Sequence, residues 1–214
     1  MFWPDTLRSL LRMKAKTEKP GKLVDSLRLV GFTALFLIFV TISFTFRSFS
    51  QPFLLLLLVP FSITAVGWGH KIHGFPLNIL SLLGIIALIG IMVNDGLVLI
   101  GKFNNNLKAG MRFEKALYHA GRSRFRAIFL TSVTTIAGLA PLLLEKSRQA
   151  QFLKPMAVAI AYGIGYATIL TLIMLPLFLM FSNSIKVQVK WLITGTKPTR
   201  ESVERAVKEQ QTHE

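Results

Sequence analysis

Long apolar blocks separated by short basic connectors set the pattern of this chain. Five blocks approach or exceed the roughly 20 residues that cross a hydrocarbon core of about 30 Å. They run at about Leu27–Phe46, Phe53–Gly69, Leu77–Gly101, Ala127–Leu144 and Met156–Phe181. A helix on a soluble core shows one apolar stripe with a polar back, whereas these blocks are apolar all round. The pattern predicts an all-α integral membrane protein with five transmembrane helices across residues 27–181. Residues 1–26 read as a basic N-terminal segment and 182–214 as a basic cytoplasmic tail.

Between the third and fourth blocks the periodicity changes. In "MRFEKALYHAGR", Phe113, Ala116, Leu117 and Ala120 share one helical face, and Arg112, Lys115, His119 and Arg122 share the other. With Gly110 and Gly121 as brackets, this reads as a cytoplasmic interfacial amphipathic helix over about 107–121.

Charge then orients the spans. The formal net charge is +15, but the Lys and Arg residues sit between and outside the apolar blocks, where the positive-inside rule places them. A nucleic-acid module would need a folded basic face with stacking aromatics. Here most of the 17 phenylalanines lie within the apolar blocks. Anionic membrane lipid, not nucleic acid, is the partner this charge implies. The segment from Lys102 to Arg126 carries seven basic residues against the single acid Glu114, and six more follow Phe181. Both are placed in the cytoplasm, with His70–Pro76 and Glu145–Pro155 outward. Five spans then send residues 1–26 outside, although these carry six basic residues. That conflict disappears if a large exported domain precedes the first span, because long translocated domains escape the rule. The expectation is therefore of an incomplete chain.

The first block does not read as a signal peptide, being too long and lacking a small-residue cleavage site. Without cysteine there are neither disulfides nor thiolate metal sites. His70 and His73, in "GHKIHG", read as interfacial residues in preference to a metal pair, and no metal is expected.

Polar groups inside the blocks are few. Asp95, in "IGIMVNDGLVLIGKF", is the only acid within any of them; the other nine lie outside. An intramembrane acid costs at least a few kcal/mol and usually faces the bundle interior or a water-filled path. It can titrate as it alternates between dry and cation-facing surroundings, or it can reach interfacial water and pair with Arg126 or Lys102; position leaves both open. Asn94 beside it can only hydrogen-bond. Ala87, Gly90, Asn94 and Gly101 approximate a small-residue face for close helix approach. In the fourth block Thr131, Thr134 or Thr135, and Gly138 form a hydroxyl-bearing face, with Ser132 beside it and Arg126 at its cytoplasmic mouth. Singly, such hydroxyls bond their own backbone; as a set they could line a polar track. In the fifth, Ala157, Ala161 and Gly165 form a small-xxx-small packing ridge.

No nucleophile elbow, HExxH or P-loop is present, so no enzyme is expected. Any transport would draw on an ion gradient, without a cofactor.

The runs "GIIALIGIMVNDGLVLI" and "EKALYHAGRSRFRAIFLTSVTTIAGLAPLLLEKSRQAQFLKPMAVAIAYGI" closely resemble the second half of resistance-nodulation-division (RND) efflux permeases. The nearest branch is that of the hydrophobe/amphiphile exporters. The resemblance covers about Leu23–Phe181, as the last five helices of a twelve-helix permease. It implies a multi-pass inner-membrane, proton-driven multidrug exporter, a trimer working with a periplasmic adaptor and an outer-membrane channel. It further implies a proton relay to which Asn94, Asp95, Arg126, Thr131 and Ser132 would contribute, completed by acids on a first-half helix. Many drug exporters carry lysine where this chain has Asn94, so the charge balance of the relay must differ. The substrate-binding periplasmic regions of the family have no counterpart here. A C-terminal fragment or split subunit is one expectation; a non-transporting remnant or accessory that docks on intact permeases is the other.

Overall fold

The protein is described here by a computed structural model, which covers residues 20–195 and 198–207. Among the described residues there is no strand. The described helices are α1 (Pro20–Phe46), α2 (Ser50–His73), α3 (Ile79–Lys108), α4 (Phe113–Leu144), α5 (Arg148–Ile169) and α6 (Leu175–Thr194). A π-helical turn, Leu170–Met174, joins the last two. Five helical stretches are long and apolar enough to cross a membrane, the last running unbroken from Arg148 to Thr194.

The chain forms two units, Met1–Leu37 and Ile38–Glu214. In the first, the described part of α1 leaves Leu29, Phe32 and Phe36 exposed, as suits a lipid-facing helix. The second holds the bundle.

Local chemistry starts and stops its helices. Asn78 caps α3: its Oδ1 accepts from the Ser81 amide at 2.9 Å, and the Ser81 hydroxyl accepts back from the Asn78 amide at 3.3 Å. This reciprocal pair satisfies two of the amides that a helix start leaves free. Ser147 caps α5 by accepting from the Ala150 amide. Gly74 ends α2 at φ 68°, a left-handed position that glycine occupies without steric cost. Pro176 explains the π turn. It cannot donate to the preceding turn and its ring crowds that turn's carbonyl. The wider turn, in which Leu175 N–H reaches the Leu170 carbonyl, lets the helix continue beyond it.

At the centre lies α5, packed on α2, α3 and α4. Ala157, Ala159, Ala161 and Ala167 are buried there, so backbones approach closely through small side chains. At Gly84 the α3 backbone itself comes close to α5: an added Cβ would stand 2.9 Å from the Met156 carbonyl oxygen and 2.9 Å from the Ala159 Cβ.

Three expectations change. The amphipathic stretch is helical, but it forms the first turns of α4 instead of a separate helix. The chain reverses earlier, at residues 109–112, where Gly110 adopts φ 78°. Gly121 keeps helical geometry, since one glycine costs only about 1 kcal/mol in a helix interior, too little to break a 32-residue helix. At 1.5 Å per residue α4 is about 48 Å long, so its basic first turns project beyond the hydrocarbon.

Secondly, the small-residue face read on the third span lies open: Ala87, Gly90 and Asn94 are exposed, and close packing uses Gly84 and Gly96 instead. Thirdly, the stretch after Phe181 is no simple tail. α6 continues to Thr194, and Arg200–Glu204 fold back on the bundle. The Glu201 carboxylate accepts from the Phe113 amide at the start of α4 (2.8 Å). Arg200 pairs with Glu114. Glu204, 4% exposed, accepts from Asn183 at 2.8 Å and from Lys186 at 3.3 Å.

Candidate functional site

Asp95 sits midway along α3, where each residue turns about 100° from the last. Gly96, its neighbour on one side, is buried against α2: an added Cβ would fall 2.0 Å from the Leu55 Cδ2. Asn94, on the other side, is exposed. Asp95 lies between these two directions and is half-buried, at the margin of the α2–α3 contact. Its carboxylate makes no hydrogen bond or ion pair among the described residues, and its oxygens are not sealed in the interior. An anion so placed is free to meet groups approaching from the open face of α3, which Ala87, Gly90, Asn94 and Val98 share.

The residues of α4 divide sharply. Ser132 is buried and turned to α5, where its hydroxyl lies 2.5 Å from that of Thr168. Thr131, Thr134 and Thr135 are exposed, each donating to a carbonyl of its own helix: Thr131 to Ala127 (3.1 Å), Thr134 to Leu130 (2.8 Å), Thr135 to Thr131 (2.7 Å). These bonds satisfy the hydroxyls locally. Arg126 is exposed and forms no ion pair among the described residues. Asp95 is thus joined by no bond to Arg126, Thr131 or Ser132. What Asp95, Asn94, Arg126 and Thr131 share is freedom from partners in other helices among the described residues.

Other polar groups tie the bundle together; of these the sequence pointed only to His70 and His73, as interfacial residues. Gln51 of α2 and Asn104 of α3 form a buried reciprocal amide pair, at 2.9 and 3.0 Å. His70, 3% exposed in the last turn of α2, places its Nε2 2.7 Å from the Ser81 hydroxyl and its Nδ1 2.9 Å from the Val66 carbonyl. His73 Nε2 stands 3.1 Å from the Tyr162 hydroxyl. Both histidines therefore serve helix contacts. The available signal was position: each pair joins polar residues just inside or beyond the ends of apolar blocks.

Comparison with known proteins places this architecture. Residues 10–183 match the model of the AcrB/AcrD/AcrF family. The swarming motility protein SwrC of Bacillus subtilis is 30% identical over 152 residues, covering 71% of this chain and 14% of SwrC. The cobalt-zinc-cadmium resistance protein CzcA of Cupriavidus metallidurans is 29% identical over 150 residues, 70% of this chain and 14% of that one. The multidrug resistance protein MdtC of Erwinia amylovora is 23% identical over 155 residues, with 72% and 15% covered. Among solved structures, a heavy metal efflux pump superposes with a TM-score of 0.66 at 26% identity, covering 76% of this chain and 16% of the pump. The chain spans about one seventh of the length of the curated relatives it matches. With the family model matching most of its length and five membrane-length apolar helices among the described residues, the chain belongs to the AcrB/AcrD/AcrF family of RND permeases.

Proposed function

We propose that this chain supplies the last five membrane helices of a proton-driven RND exporter of hydrophobic and amphiphilic compounds, acting in the bacterial inner membrane with its C-terminus cytoplasmic. The observation that carries the reading is Asp95. It is the lone acid within the apolar blocks, it has no partner among the described residues, and it borders a face of α3 that these residues leave exposed. A carboxylate kept in a membrane without a partner is a functional group by default. Its relay partners would come from the permease's remaining helices, with Asn94, Arg126 and Thr131 lining the same polar track. Ser132, committed to Thr168, would hold α4 in place on α5. The proton gradient would be the sole energy source, with no cofactor. A trimer, a periplasmic adaptor and an outer-membrane channel would complete the machine.

The named relatives include both multidrug and metal resistance proteins, and selectivity would reside in parts of the permease outside this chain. The multidrug reading follows the resemblance to the hydrophobe/amphiphile branch. Export assays with an amphiphilic dye and with divalent zinc separate the two.

In the reconstituted permease that contains this chain, Asp95→Asn is expected to abolish proton-coupled efflux while assembly stays intact. Full efflux in that variant would remove Asp95 from the relay. The second reading, a non-transporting remnant or accessory that packs on intact permeases, is favoured by the open Ala87–Gly90 face. Upstream DNA decides: an open frame encoding further helices and a periplasmic domain supports transport, and a frame broken by a stop codon supports the remnant.

A further inference from the structure

Where α6 leaves the bundle, a groove of about 480 Å³ opens between that helix, the α1–α2 turn and the folded-back C-terminal segment. Its walls are of two kinds. Phe49, Ile185, Val189 and Ile193 supply apolar surface, while Lys186, Lys190 and Arg205 supply cations. Lys186 is shared with the Glu204 carboxylate. Lys190 and Arg205 have no partner among the described residues, so the groove keeps two uncompensated positive charges.

We infer that this groove binds the headgroup and upper acyl chains of an anionic phospholipid. Both halves of such a molecule are matched. Lys186 and Lys190 stand one helical turn apart on α6, and Arg205 is brought opposite them because Glu204 is bound to Asn183 and Lys186. Arginine and lysine donors converging from two segments suit a phosphate diester. The apolar wall continues up α6 toward Leu175–Phe181 of the fifth apolar block, so acyl chains would lie along a surface already made for lipid. Trp191, Leu192 and Ile193 are 49, 77 and 80% exposed, the composition of a helix end seated in the membrane interface. A free anion or an acidic peptide would use the cations and leave the apolar wall wet. The tail, expected only to be basic, thereby becomes half of a lipid site.

The test uses the full chain in nanodiscs of phosphatidylcholine, with Trp3→Phe and Trp68→Phe so that Trp191 is the sole tryptophan. Brominated phosphatidylglycerol or brominated phosphatidylcholine is titrated in, and Trp191 quenching is read. Each cation near the membrane surface favours anionic lipid by about fivefold, so half-maximal quenching is expected at a roughly 10- to 25-fold lower mole fraction of the anionic lipid. Lys190→Gln with Arg205→Gln should bring that ratio close to one, while Arg112→Gln with Arg122→Gln should leave it unchanged. Salt gives a second measure that needs no variant: 0.5 M sodium chloride should shrink the preference severalfold. Equal quenching by the two lipids overturns the proposal. So does a preference that survives the K190Q/R205Q change in a folded protein, or one that salt does not touch. Loss of the preference on adding millimolar inorganic phosphate would assign the groove to free anions and also overturn it.

Discussion

α5 and the outward side of α3 carry the same kind of sequence signal and meet opposite fates. On α5, Ala157, Ala161 and their neighbours are buried against three helices. On α3, Ala87, Gly90 and Asn94 repeat at similar spacing and stay exposed. Small residues permit close approach without specifying a partner. Where α2, α3 and α4 supply one, the stripe becomes a core; where the described residues supply none, it remains an open face, and there Asp95 keeps a carboxylate unpaired among them.

The largest contrast between the two helices is expected at glycines. Gly84→Val would drive a branched side chain into the Met156 backbone, which cannot give way as a side chain could. We expect a loss of about 3 kcal/mol, at the upper end for overpacking, read as a lowered unfolding midpoint of the purified chain in detergent. Gly90→Val, with nothing within 4 Å of the new Cβ, should shift that midpoint by no more than about 0.5 kcal/mol, the usual size at unpacked surface positions. Equal effects at the two positions would show that the open face of α3 is covered in the isolated chain.

A middle-sized effect is expected at the C-terminal clasp. Glu204→Ala leaves Asn183 and Lys186 without their acceptor, at a cost of about 1–3 kcal/mol. The loss should be confined to Arg200–Val207 and the start of α4, seen as faster amide exchange there with α5 unchanged. Uniform acceleration throughout the bundle would mean that the clasp stabilises the whole fold.

The smallest contrast lies between adjacent hydroxyls of α4. Ser132→Ala removes the bond to Thr168 and should cost about 0.6 kcal/mol, the average for interhelical hydrogen bonds in membranes. Thr131→Ala removes only bonds to its own helix and should be neutral. A Ser132/Thr168 double-mutant cycle with no coupling would place the 2.5 Å contact among those without energetic weight.

Much of the architecture was legible because the bilayer leaves few options. Apolar runs of that length must span, and their backbones must be helical to satisfy every amide within the segment. The spans, the helical build of the described residues and the packing ridge of Ala157 and Ala161 all follow from one-dimensional pattern, whereas the lack of a partner for Asp95 among the described residues does not. Helix ends were less legible. Gly121 and Gly110 look alike in sequence, yet only Gly110 adopts a positive φ; the difference lies in where α3 must turn back. Pro176 lies inside the fifth block, and a widened turn carries the helix past it.

What the sequence determined alone is therefore what a single helix in lipid decides for itself: its length, its apolarity and the rarity of its charges. The tertiary structure decided direction. It turned Ser132 inward to Thr168 and left Thr131 out, chose Gly84 and Gly96 over Gly90 as points of contact, and folded Glu201 and Glu204 back to clasp α4 and α6. A residue's type limits the contacts it can make, but only the neighbouring helix, brought near by the rest of the chain, selects one of them.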